Sequence, residues 1–228
     1  MKKAVVLLSG GLDSTVTLAY AISQGYEVIP LTIRYGQKHA RELRAAKDVV
    51  SFYRLKRHVV IDLDLTSFKT SALISPDIKV PERTSAERIG SRIPVTYVPS
   101  RNTIFLSVAA GLCESVSAER VFIGANSLDY SGYPDCRPEF FDAFQRVLEV
   151  GTKAGVEGRQ IKIETPIICY TKADIVRLGK RFGAPLHLTW SCYKGGEKAC
   201  GQCDSCLLRL KGFEEAGYED EIAYEVRT

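Results

Sequence analysis

Residues 4–14 read Ala4-Val5-Val6-Leu7-Leu8-Ser9-Gly10-Gly11-Leu12-Asp13-Ser14, and this stretch decides the fold. A short apolar run bounded by turn residues predicts a buried strand. Two adjacent glycines let the chain turn at positive φ and let a ligand approach the backbone. Residues 14–24 have helical periodicity, and Gly25 stops the helix. A strand that turns on glycines into a helix aims backbone N–H groups and the positive end of the helix dipole at one point. An anion belongs there, and a phosphate chain suits it. Ser9, Ser14 and Thr15 add hydroxyl donors. Asp13 beside a phosphate needs a screening cation, which implies magnesium. The Walker ending Gly-Lys-Ser/Thr is absent, and so are the three spaced glycines of a dinucleotide site. Without a ligand, the same stretch reads as a plain glycine turn with Asp13 as a cap.

Outward from the loop, strands and helices alternate. Strands are expected at residues 5–8, 27–34, 58–63, 120–124 and 161–163. Helices are expected at 38–52, 102–117, 138–151, 171–182 (stopped by Gly183-Ala184-Pro185) and from Asp204 to Gly217. This alternation predicts an α/β, Rossmann-like parallel sheet with right-handed crossovers and helices on its faces. Residues 66–96 contain Pro76, Pro81 and Pro94 and keep no period. They are expected to form a flexible insertion near the substrate, or a passive surface excursion. One nucleotide-binding domain at 1–190 with a C-terminal tail at 191–228 packed on it is the expected organisation.

The 228 residues suffice for one good-sized domain, and 45% hydrophobic with 25% charged residues is ordinary for a soluble globular chain. The net charge of +4 suits a small anionic ligand and is too weak to argue for a nucleic-acid surface. No run approaches membrane-spanning length. The apolar N-terminus leads into the glycine loop, so it reads as a strand rather than a signal peptide, and a cytoplasmic location is expected. Seven cysteines, an odd number, argue for metal or redox use in a reducing compartment. Cys192, Cys200, Cys203 and Cys206 are spaced C-x7-C-x2-C-x2-C, close enough to converge on one ion. Four thiolates make a closed tetrahedral zinc site, and the C-x2-C-x2-C part also occurs around iron–sulfur clusters. Cys113 and Cys169 read as buried filler. Cys136 stands in a polar loop.

The hexapeptide Ser9–Ser14 resembles the loop of the ATP-pyrophosphatase (PP-loop) families, in which it holds the pyrophosphate part of ATP while the substrate is adenylated. That resemblance implies an ATP site over Leu8, Ser9, Gly10, Gly11, Leu12, Asp13, Ser14, Thr15, Val16, Thr17 and Leu18. It also implies a phosphate-facing lysine, at Lys172. Further blocks narrow it. The run from Gly124 to Phe141, Tyr35-Gly36-Gln37-Lys38-His39, Val98-Pro99-Ser100-Arg101-Asn102 and the cysteine tail together resemble the 7-cyano-7-deazaguanine synthase family of queuosine biosynthesis. The match runs in order from Val5 to about Leu210. Lys38 stands where many relatives are expected to carry Arg, which keeps the charge.

This second resemblance implies zinc on the four cysteines. It also implies a carboxylic acid turned into a nitrile with ammonia and two ATP, in a homodimer that binds small molecules and no nucleic acid directly. A guanine-like edge suits carboxylates, and a flat ring suits aromatic stacking. Asp129, Asp135, Glu139 and Arg137, with Tyr130 and Tyr133, are therefore the expected substrate contacts, joined by Tyr35, Gln37, Lys38, His39 and Asn102. Arg101 is expected to reach phosphates or the substrate carboxylate in a bidentate contact. Taken singly, each of these residues also reads as a cap, a surface charge or a core aromatic. Two rival functions remain at this level: a tRNA-thiolating enzyme with the same loop, and a non-enzymatic, zinc-stapled nucleotide- or nucleic-acid-binding module.

Overall fold

The central strand β1 (Lys3–Leu7) is buried on both faces, with Ala4, Val5 and Val6 wholly inaccessible. Alternate residues point to opposite sides. Ala4, Val6 and Leu8 join one core with helix α1 (Leu12–Ser23) and helix α2 (Arg41–Phe52). Val5 and Leu7 join another with helix α3 (Arg101–Ser115) and helix α4 (Pro138–Gly151). Such two-sided burial belongs to a parallel strand covered by helices on both faces.

Among the residues that this computed structural model describes, which are 2–38, 41–82, 93–128 and 132–227, five strands form one parallel sheet in the order β3-β2-β1-β4-β5. The other strands are β2 (Glu27–Arg34), β3 (Val59–Asp62), β4 (Arg120–Phe122) and β5 (Lys162–Glu164). The register sets Val5 beside Ile29 on one side and Val121 on the other. The chain runs outward from β1 to β3, then returns to build β4 and β5 on the opposite side. The reversal between β1 and β4 opens a crevice at the carboxyl ends of those strands. A short helix α5 (Lys153–Val156) follows α4, and helices α6 (Lys172–Arg181) and α7 (Asp204–Ala216) complete the chain. No described helix is long and apolar enough to cross a membrane.

The expected fold class is thus the observed one. His39, Asp129 and Tyr130, expected at the site, lie outside the described residues, as do 83–92. The described part of 66–96 is anchored to the body. Ser71 and Ala72 are fully buried, Ala72 N–H donates to the Val95 carbonyl, and Lys38 Nζ donates to the Ile78 carbonyl at 2.9 Å.

Where β2 meets the loop region, Thr32 donates its hydroxyl to the Leu8 carbonyl at 2.7 Å and therefore accepts from His58 Nε2 at 2.8 Å. Burial, helped by the Lys47 charge, pulls His58 below its ordinary pKa. The unfolded chain then takes up the proton first, so this contribution is complete above pH ~6.5 and fades as the pH falls below it. Denaturant midpoints should drop from pH 7 to pH 5.5, and His58→Gln should flatten that slope.

Candidate active site

The turn after β1 does what its glycines allow. Gly10 has φ +87°, and a Cβ there would lie 2.3 Å from the Glu42 carbonyl oxygen and 2.5 Å from the Ala46 nitrogen. The loop therefore packs directly on α2. Gly11 caps α1 with no side-chain hydrogen bond, which leaves first-turn N–H groups for a ligand. The two serines brace the turn. Gly11 N–H donates to Ser9 Oγ at 3.2 Å, the two hydroxyl oxygens lie 3.0 Å apart, and Ser14 Oγ donates to the Gly11 carbonyl at 3.1 Å. From the other side, a Cβ on Gly124 would meet the Asp13 carbonyl at 2.9 Å, so the end of β4 presses on the start of α1.

Lys172 reaches this loop across 159 residues. Its ammonium lies 2.8 and 2.9 Å from the two oxygens of Asp13, and the residue is only 7% exposed. Lys172 is the first residue of α6, whose start is fixed by a capping box between Thr171 and Asp174. An ammonium and a carboxylate held together at a helix start, beside uncapped N–H groups, make a site for a phosphate chain and its cation.

A cleft with two adjoining lobes, each about 200 Å³, opens on this loop. The first is the more polar of the two and includes Asp13, Lys172, Asn126, Ser191 and Arg209. The second is more apolar and includes Leu31, Ile33, Tyr35 and Phe105. Arg101, Asn102, Glu42 and Leu73 face both. Burial opposes the Arg101 charge, but Tyr35, Tyr133, Cys136 and Asp135 outweigh it and hold the proton more tightly than usual. Withdrawal from water pushes the Glu42 carboxyl up to about 7, with Arg101 opposing.

The expected substrate residues separate into groups. Tyr35 and Gln37 face the second lobe, and Tyr35 N–H donates to Gln37 Oε1 at 2.8 Å. Tyr133 faces the first lobe, with its hydroxyl 2.6 Å from Thr96 Oγ1. Asp135 lines neither lobe and uses one oxygen at the start of α3, where Ser100 provides no side-chain cap. Its Oδ2 accepts Asn102 N–H at 3.0 Å, while Asn102 Nδ2 donates to the Asp135 carbonyl at 2.8 Å. Lys38 turns to the 71–78 segment instead of the cleft. Arg137 and Glu139 are exposed at the start of α4 and line neither lobe. Glu42, Asn126, Trp190 and Arg209 also line the first lobe, with no local sequence motif to mark them. Asn126 donates to the Ile167 carbonyl at 3.0 Å and locks the end of β4 to the turn before α6.

The four tail cysteines converge. All four sulfurs lie within 4.8 Å of one another, and all are buried. Cys200 and Cys206 sulfurs are 3.9 Å apart. Bonds of about 2.3 Å from one tetrahedral ion would separate them by about 3.8 Å. Backbone N–H groups of Lys194, Cys200, Gln202 and Cys203 point at the sulfurs from 3.3–3.4 Å, as suits thiolates. The residues fit a metal ion. The cluster adjoins the phosphate loop, since Trp190 N–H donates to the Gly10 carbonyl at 2.9 Å and its indole N–H to the Cys192 carbonyl at 3.1 Å.

A parallel sheet with its crevice at the strand reversal, a glycine loop with free N–H groups and a lysine–aspartate pair beside them define an ATP-activating α/β enzyme of the PP-loop type. The structure of the NMN synthetase of Francisella tularensis has the same fold, with a TM-score of 0.50 at 14% identity over 96% of this chain and 78% of that one. The chain belongs to the family described as queuosine biosynthesis protein QueC, whose model matches residues 3–217. It is 57% identical to the 7-cyano-7-deazaguanine synthase of Thermoplasma acidophilum over 98% of this chain and 92% of the relative. It is 55% identical to that of Acetivibrio thermocellus over the full length of both.

Proposed function

We propose that the protein converts 7-carboxy-7-deazaguanine and ammonia into 7-cyano-7-deazaguanine at the expense of two ATP, in queuosine biosynthesis. The observation that carries this reading is the Asp13–Lys172 pair beside the uncapped start of α1, facing a two-lobed cleft. The family supplies the substrate. The second lobe, walled by Leu31, Ile33 and Phe105, suits the adenine ring; the first lobe, with Lys172, Asn126 and Arg209 in its wall, suits the acid.

A carboxylate oxygen is a poor leaving group, so it is made part of a phosphate. The carboxylate attacks the α-phosphorus of ATP, pyrophosphate leaves, and an acyl adenylate forms. Ammonia displaces AMP and gives the amide. The amide oxygen then attacks a second α-phosphorus, and loss of AMP with the remaining N–H proton leaves the C≡N bond. The chain positions the reactants and takes up charge. The loop N–H groups and Lys172 hold the departing pyrophosphate, Asp13 would hold magnesium there, and Arg101 pairs with the phosphates or the substrate carboxylate. Magnesium supplies charge neutralisation on the phosphates when bound.

The carboxylates of the described cleft are Asp13 and Glu42. With Asp135 capping α3 and Glu139 outside the cleft, Glu42 is the described acid placed to accept the N–H donors of the guanine-like edge. The tail cysteines hold one structural zinc. Sulfurs this close suit a single ion better than a cluster, whose thiolates sit on separate irons.

Oxygen labelling tests the order of events. With both carboxylate oxygens of the substrate labelled as ¹⁸O, each of the two AMP molecules formed per nitrile should carry one label. Unlabelled AMP, or label in inorganic phosphate, would rule out adenylation of the acid and the amide.

A further inference from the structure

Gly212 lies in the third turn of α7, away from any turn or cap, where glycine costs a helix about 1 kcal/mol relative to alanine. The reason for it is a neighbour. A Cβ on Gly212 would lie 2.3 Å from Lys172 Cγ, 2.7 Å from Lys172 Cβ and 3.1 Å from its carbonyl carbon. The tail helix therefore passes directly against the stem of the lysine that meets Asp13. We propose that Gly212 is a positioning residue for the adenylation steps: its missing side chain seats the Lys172 stem so that the ammonium points at the phosphate loop.

The same contact gives the cysteine cluster a part in the chemistry. Cys203 caps α7 and Cys206 lies in its first turn, so a metal there fixes the start of the helix. One turn on, Arg209 is 1% exposed and donates to both oxygens of Asp220, to Thr189 Oγ1 and to the Leu186 carbonyl. Phe213 then packs among Ile175 and Val176 of α6. Held at these points, α7 meets Lys172 at one fixed depth. Trp190, two residues before the first cysteine, holds the Gly10 carbonyl. The tail thus sets both partners of the phosphate grip, the loop and the lysine.

The proposal rests on Lys172 as a phosphate ligand, and its test includes an arm without turnover. In Gly212→Ala the stem must move by an ångström or more, so kcat should fall about 100-fold. Acetylation of Lys172 by acetic anhydride, read by peptide mass spectrometry on the metal-loaded protein, should speed up severalfold as the ammonium leaves Asp13. In a Lys172→Gly background, which removes both clashing side-chain atoms, adding Gly212→Ala should cost little further activity or thermal stability. If Gly212→Ala does not fold alone, that double variant still should. Unchanged Lys172 labelling in folded Gly212→Ala, an equal stability loss in both backgrounds, or a double variant that fails to fold would each overturn the proposal. Faster labelling without 7-deazaguanine turnover in wild type would instead sink the substrate reading alone.

Discussion

Asp13→Asn lowers turnover about 1,000-fold while the chain stays folded, the loss expected when a preorganised charge at a reacting centre is removed. The carboxylate holds Lys172 through both oxygens, and in the proposed reaction its charge draws magnesium to the loop. Asparagine keeps the shape and one acceptor, so the turn of Ser9–Ser14, braced by its own hydroxyls, survives. The ammonium is left short of a counter-charge with its side chain only 8% exposed, and Asp13 itself is 19% exposed. Water at that edge keeps the stability cost at about 1–2 kcal/mol, below that of breaking a fully buried pair. Steady-state kinetics with a magnesium titration, beside thermal unfolding, checks both parts. The variant should need more magnesium, and its Tm should move by only a few degrees.

Metal removal has the second large effect, this time on stability. Without an ion, four buried thiol groups within 4.8 Å have no centre to hold them. The tail is then left to hydrogen bonds: the Ala199 exchange with Ala223 and Glu225, the Glu82–Cys203 bridge, and the Arg209–Asp220 pair. Arg209 and Asp220 are paired at 1% exposure each, and that pair depends on the two ends of the tail staying together. A strong chelator, or Cys203→Ser, should cost about 5 kcal/mol or more, less than the ~10–16 kcal/mol that zinc supplies to a finger peptide, because the hydrogen bonds of the tail remain. At this chain length that lowers Tm by about 10–20 °C. ATP turnover should disappear with it, because Trp190 and α7 hold the loop and Lys172. Metal analysis of the purified protein should give one zinc per chain.

The loop, the central strands and the cysteine set were legible because each is local. A glycine turn, a period of two or 3.6, and a C-x2-C spacing all fit within a dozen residues. Helix α5 was not, since Lys153–Val156 is a single turn and too short to show a period. The edge strand β5 was expected one residue early, at 161–163 rather than Lys162–Glu164; three residues paired on one side carry little register signal. The site residues that went unseen act across the fold. Glu42 carries no local motif, and only the packing of Gly10 on α2 brings it to the cleft. Arg209 carries no local motif, and its partners Asp220 and Thr189 meet it only through the fold of the tail. Asp135 looked free to read a ligand in its loop, and only the uncapped start of α3, 33 residues earlier in sequence, gave it another partner.

Nitrile formation driven by two adenylations has a direct test. Purified protein incubated with ATP, magnesium, ammonium and 7-carboxy-7-deazaguanine, followed by mass spectrometry and nucleotide chromatography, tests it in one vessel. The expected products are 7-cyano-7-deazaguanine with two AMP and two pyrophosphates per nitrile. Unchanged acid with intact ATP, or nitrile formed with ADP and phosphate, would contradict it.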